Sequence, residues 1–133
     1  MNYKDRIRAH EGYSTTPYKD SVGLTTVGVG RCIDRVPFSA DEIELMFEND
    51  IKRAVAGAET FGAYYFLDDA RRGVLIEMVF QLGVKGVSKF VKFLDAAMTG
   101  DFNKAAAEMK DSKWYQQTPK RCEELASIFE KGY

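Results

Sequence analysis

Residues 11–32 read EGYSTTPYKDSVGLTTVGVGRC, and this stretch decides the fold. Its threonines and valines favour extended backbone, whereas the segment Asp20–Gly23 is typical of a tight turn. We therefore predict two short strands joined by that turn. Gly28 and Gly30 in the second half of the stretch leave room for another group to approach the strand closely.

The segments on either side of this hairpin are predicted to be helical. Before it, Asn2 can cap a short helix that Gly12 would end, so that Glu11 falls in the last turn. After it, Ser39 and Glu42 form a capping-box pattern, and apolar residues recur at helical spacing towards the end of the chain. The pattern indicates an α+β fold with a small β lobe, a larger helical lobe and a cleft between them.

The composition of the chain argues against several classes of function. The chain has 133 residues, of which 45% are hydrophobic, and its net charge of −1 provides no field that would draw it to nucleic acid. No segment approaches the roughly 18 apolar residues of a membrane span, and no signal peptide is recognisable. Cys32, Cys122 and His10 form no metal-binding pattern, so we expect neither a metal nor a cofactor. Two buried free thiols are favoured over a disulfide between Cys32 and Cys122, and the sequence leaves both possibilities open.

Glu11, Asp20 and Thr26 are the candidate catalytic residues. In glycoside hydrolysis one carboxylic acid protonates the leaving oxygen, and a second carboxylate directs a water or attacks the sugar. Acidic residues nine positions apart are also common on any protein surface, so their spacing alone does not establish a catalytic pair.

A longer resemblance supports the catalytic interpretation. Glu11-Gly12, Tyr18-Lys19-Asp20 and Thr26–Gly30 resemble the active-site segment of the T-even phage lysozymes, glycoside hydrolase family 24. Further segments similar to that family are residues 41–55, 67–72, 78–90 and 112–121. The resemblance implies one lysozyme-like α+β domain over residues 1–133. Its expected parts are a β lobe at about 13–38, a connecting helix at about 39–60, and a helical lobe formed by about 61–133 together with helix 1–11.

The resemblance also implies an activity. The expected enzyme is a muramidase that cuts the β-1,4 bond between N-acetylmuramic acid and N-acetylglucosamine in bacterial peptidoglycan, with inversion. Glu11 would be the general acid, Asp20 would orient the attacking water and Thr26 would hold that water. A monomeric endolysin is expected, made in the host cytoplasm, released to the cell wall by a holin, and used for host lysis.

Other positions carry supporting roles by the same resemblance. Arg121 is expected to be the cationic partner of Glu11. Arg31 is expected to form an ion pair with Asp50 that ties the hairpin to the connecting helix. The positions expected to contact substrate are Cys32, Phe80 and Gln81.

Two other functions remain open. A lytic transglycosylase also uses a glutamic acid on peptidoglycan but needs no positioned water, so Asp20 and Thr26 argue against it. A non-catalytic peptidoglycan-binding module or phage structural part would not need the three residues together. Lys85, Lys89 and Lys92 form a local basic cluster that is either a solvated helix face or a contact for an anionic polymer.

Overall fold

The computed structural model describes residues 2–133 and confirms the α+β class. The helices are α1 (Tyr3–Glu11), α2 (Ala40–Ala58), a 3-10 helix (Gly62–Phe66), α3 (Asp69–Ser88), α4 (Val91–Thr99), α5 (Phe102–Lys110), α6 (Lys113–Gln117) and α7 (Pro119–Lys131). The strands are β1 (Ser14–Lys19), β2 (Thr25–Gly28) and β3 (Arg31–Cys32). Within residues 2–133 no helix is both long enough and apolar enough to cross a bilayer.

The chain divides into two compact units, Met1–Met46 and Phe47–Tyr133. In the first unit, α1 begins where the Asn2 side chain accepts a hydrogen bond from the Asp5 N–H at 2.9 Å. It ends at Gly12, which has a φ of +76° and whose N–H donates to the carbonyl of Arg8 at 2.9 Å. Glu11 is therefore the last residue of α1, as the sequence predicts.

The sheet of the first unit is antiparallel with strand order β1-β2-β3. The predicted Asp20–Gly23 turn is present, because the Gly23 N–H donates to the Asp20 carbonyl at 3.0 Å. A second turn at Val29 and Gly30 leads into β3 (Arg31–Cys32), a strand that the sequence analysis did not predict. Two residues are too few to show a strand periodicity, so only the pairing with β2 reveals it.

The second unit is helical and contains the hydrophobic core. Helix α3 contributes Val74, Leu75 and Met78, which are at most 2% exposed. Aromatic rings join the later helices, with Phe93 and Phe129 centroids 5.0 Å apart. The apolar stripes of the sequence are therefore core positions, as expected from their helical spacing.

Arg71 holds the end of the last helix to α3. Its guanidinium donates to the carbonyls of Phe129 and Glu130 at 2.5 and 2.9 Å, and lies 3.6 Å from the centroid of the Phe102 ring. The carbonyls at a helix C-terminus have no partner within their own helix. A largely buried arginine therefore supplies the donors that α7 needs at its end.

Both cysteines are free thiols. Cys122 is buried and its thiol donates to the carbonyl of Met109 at 3.3 Å. Burial raises the pKa of Cys122 to about 11, so the thiol stays protonated at neutral pH. Cys32 is only half-buried in β3.

Candidate active site

The side chain of Glu11 lies directly against the backbone of Gly30. A Cβ atom at Gly30 would be 2.6 Å from Oε2 of Glu11 and 2.9 Å from its Cδ. Gly30 also has a φ of +68°, a conformation that residues with a side chain rarely adopt. The close approach predicted for this glycine is confirmed, and the approaching group is the candidate general acid.

Asp20 has a structural role as well as a candidate catalytic one. Its Oδ1 accepts hydrogen bonds from the N–H groups of Val22 and Leu24, both at 2.9 Å. These bonds build the turn between β1 and β2 in the manner typical of aspartate turns. The turn uses Oδ1 and so fixes the direction in which Oδ2 points.

Thr26 lies in the middle strand, opposite Tyr18 on β1 and Cys32 on β3. It is 5% exposed, and its Oγ1 is buried without a hydrogen-bond partner among residues 2–133. A buried hydroxyl without a partner costs about 1–3 kcal/mol and calls for a specific explanation. The hydrogen-bonding capacity of this hydroxyl is therefore unused within the described residues.

Within the first unit, the carboxylate partner of Arg31 is Glu42, and the expected pairing of Arg31 with Asp50 stays a prediction. Nη1 and Nη2 of Arg31 lie 2.9 and 2.6 Å from Oε1 and Oε2 of Glu42, in a two-pronged pair. In the second unit, Asp50 pairs with Arg53, three residues further along α2. Side chains three apart on a helix are neighbours, and the capping box holds Glu42 in the first turn of α2.

The electrostatics of Glu42 follow from these contacts. The guanidinium of Arg31 is the main cause that lowers the pKa of Glu42 to about 2, and the Ser39 N–H donating to Oε1 at 2.8 Å adds to it. The pair is therefore fully ionised at neutral pH. The sequence indicates only a capping role for Glu42, because the capping pattern does not reveal a partner eleven residues away.

Arg121 lies beside another residue of its own unit. Its Nη2 is 3.8 Å from Oε1 of Glu77, and both side chains are substantially exposed. Helices α3 and α7, which carry these residues, pack against each other. The expected pairing of Arg121 with Glu11 stays a prediction.

Gln81 and Phe80 occupy neighbouring positions on α3 with different surroundings. Oε1 of Gln81 accepts from Nε1 of Trp114 at 3.0 Å, and its Nε2 lies 3.5 Å from Oγ1 of Thr118. Phe80 is 44% exposed, packs edge-on against Phe47, and lines a cavity of about 410 Å³. Substrate contact by Phe80, Gln81 and Cys32 stays a prediction.

A larger cavity of about 560 Å³ lies within the helical unit. Phe90, Phe93 and Trp114 supply its aromatic lining. Its charged lining residues are Lys89, Lys92, Lys113, Glu108 and Asp111. Two lysines of the predicted basic cluster therefore border this cavity together with acids, and the cavity has mixed charge.

A sequence model described as phage lysozyme matches residues 8–127 of the chain. The chain belongs to the phage lysozyme family. The match includes Glu11, Asp20 and Thr26, so the resemblance seen in the sequence is confirmed. Membership places the chain among lysozyme-type glycoside hydrolases.

Individual relatives agree with the family assignment. The chain is 32% identical to probable T4-type lysozyme 2 of Dictyostelium discoideum, over 97% of this chain and 94% of that protein. It is 30% identical, with the same coverage, to probable T4-type lysozyme 1 of that organism. It is also 28% identical to the pre-baseplate central spike protein Gp5 of Enterobacteria phage T4, over 99% of this chain and 28% of that protein.

Proposed function

We propose that this member of the phage lysozyme family is an N-acetylmuramidase. It hydrolyses the β-1,4 bond between N-acetylmuramic acid and N-acetylglucosamine in bacterial peptidoglycan. One observation carries the proposal: the carboxylate of Glu11 lies against Gly30 in the same small unit that holds the unpartnered Oγ1 of Thr26. A proton donor and a buried acceptor for water are what hydrolysis of a glycosidic bond requires.

The proposed reaction is a single displacement. Glu11 gives its proton to the glycosidic oxygen as the bond to the anomeric carbon breaks. A water held by Thr26 attacks that carbon from the opposite face, and the carboxylate of Asp20 receives the proton of the water. The product has inverted configuration and carries one added water, and the reaction needs no metal or cofactor.

Thr26→Val tests the water-holding role. Valine has nearly the shape of threonine but lacks the hydroxyl, so it removes the unpartnered Oγ1 without opening a cavity. We expect the activity to fall about tenfold or more, since one positioned hydrogen bond to the reacting water is lost. The free energy of unfolding should stay constant or rise by up to about 1 kcal/mol, because a buried unpaired group has been removed. Turbidity loss of cell-wall suspensions and thermal melts would measure the two effects. Full activity in Thr26→Val would contradict the role.

Asp20→Asn separates the two roles of this residue. The amide oxygen of asparagine can still accept from the N–H groups of Val22 and Leu24, so the turn and the melting temperature should be retained. The negative charge that receives the proton of the water is lost, and we expect activity to fall about 100-fold. Asp20→Ala is the companion variant, which should lose the turn bonds as well as the activity. An Asp20→Asn protein with normal activity would show that the residue serves the turn alone.

The mass of soluble fragments released from purified peptidoglycan tests the function itself. Fragments that end in a reducing N-acetylmuramic acid and carry one added water would support the proposed hydrolase. Fragments lighter by that water would indicate a lytic transglycosylase and remove the role of Asp20. If no fragments appear, a non-catalytic binding module is favoured.

Binding of the peptide and sugar parts of the substrate belongs to the same proposal. The mixed-charge cavity with Phe90 and Trp114 in its lining suits a peptide that carries both amino and carboxyl groups, as the stems of peptidoglycan do. Cys32, Phe80 and Gln81 are the proposed sugar contacts. The chain is proposed to act as a monomer.

The proposed setting is host lysis by an endolysin that a holin releases from the cytoplasm. In a second possible setting, the chain is a domain of a virion protein that cuts the cell wall. The similarity to part of the central spike protein of phage T4 supports this alternative. Expression of the chain in bacteria with and without a holin tests the endolysin setting, and detection of the chain in purified virions tests the second setting. Lysis that depends on the holin would support the endolysin.

A further inference from the structure

We propose that the Arg31–Glu42 ion pair positions the backbone of Gly30 against the carboxylate of Glu11. Arg31 and Glu42 would then be positioning residues for the reaction. This inference rests on the proposed function, in which Glu11 is the proton donor. The ion pair would determine the position of the Glu11 carboxylate.

Gly30 is followed directly by the short strand β3. Arg31 is the residue after Gly30 and the first of β3, which has only two residues and lies at the edge of the sheet. Beyond its far end, the Ile33 N–H donates to the carbonyl of Thr25 at 3.0 Å. At the Gly30 end, Arg31 pairs with Val27 of β2, and its side chain adds an anchor outside the sheet. A short edge strand has little stability of its own, so this anchor decides how firmly the turn is held.

The anchor is suited to fixing direction as well as distance. Two N–H groups of one guanidinium face two oxygens of one carboxylate, at 2.9 and 2.6 Å, and such paired bonds restrict rotation. Glu42 is itself held, because its Oε1 accepts from the Ser39 N–H at 2.8 Å and its own N–H donates to Oγ of Ser39 at 3.2 Å. The first turn of α2 therefore holds Glu42 in place, and through Glu42 it anchors the turn at Gly30.

Loss of the anchor should affect the reaction more than the stability. The pair is partly exposed, and exposed ion pairs contribute little to the free energy of unfolding. The carboxylate of Glu11, in contrast, occupies the space where a side chain of Gly30 would lie, so a shift of the Gly30 backbone changes the space available to the carboxylate. A displacement of about 1 Å at a reacting group can cost roughly 100-fold in rate.

The test is a double-mutant cycle with Arg31→Gln and Glu42→Gln, measured on soluble peptidoglycan oligosaccharides. We expect each single variant to lower kcat by about tenfold or more with KM unchanged, and the double variant to be no worse than either. Arg31→Lys keeps the charge but not the paired geometry and should recover only part of kcat. Arg35→Gln, which removes the same charge from an exposed position four residues on, is the matched control and should equal the unsubstituted protein.

A second readout does not depend on activity. The backbone amide of Gly30 should change its NMR chemical shift in Glu42→Gln, whose substitution lies twelve residues away, but not in Arg35→Gln. Unchanged kcat in the two pair variants together with an unchanged Gly30 amide in Glu42→Gln, or kcat effects that add in the double variant, would overturn the positioning role. If the unsubstituted protein released no fragments, the proposed function would fail, and the Gly30 amide would still decide whether the pair holds the turn.

Discussion

Glu11→Gln is expected to remove nearly all hydrolysis while the protein stays folded. Glutamine has the shape of glutamic acid and fits the same space beside Gly30, but it has no acidic proton to give to the leaving oxygen. General acid catalysis contributes about 10²–10⁴-fold, and we expect a loss of that size in the rate of fragment release.

Glu44→Gln is the control for this variant. Glu44 is an exposed residue of α2 and undergoes the same change of charge and shape. Activity close to that of the unsubstituted protein is expected for Glu44→Gln, with equal melting temperatures for both variants. If Glu11→Gln released fragments at the normal rate, another residue would have to supply the proton.

Gly30→Ala is expected to reduce both stability and activity. Its φ of +68° costs a residue with a side chain about 1–2 kcal/mol. The added Cβ would lie 2.6 Å from Oε2 of Glu11, closer than real atoms approach, so the carboxylate has to move. We expect a loss of about 100-fold in activity from this displacement, in addition to a lower melting temperature.

Gly28→Ala separates strain from displacement. Gly28 has a φ of +70°, nearly that of Gly30, but a Cβ atom there meets nothing within 4 Å. Both alanine variants should therefore lose stability through backbone strain, Gly30→Ala more than Gly28→Ala because of its clash with Glu11, and only Gly30→Ala should lose most of its activity. Equal activity losses in the two variants would mean that backbone strain, and not the contact with Glu11, is responsible.

The sequence alone determined the features that depend on neighbouring residues. Asn2 and Gly12 bound α1, and the turn at Asp20–Gly23 forms where turn-forming residues cluster. These elements depend on hydrogen bonds between residues at most four apart, so local chemistry suffices to predict them. The family is also visible in the sequence, because its motifs occur in order along most of the chain.

Only the tertiary structure decided which distant groups meet. Asp50 and Glu42 are equally good partners for Arg31 by charge, and the fold of the loop after β3 brings Glu42 to it. In the same way, the contact of Gly30 with Glu11 and the burial of the Thr26 hydroxyl depend on how the strands pair. Contacts between residues far apart in the chain follow from the packing of whole elements, which residue-by-residue preferences do not specify.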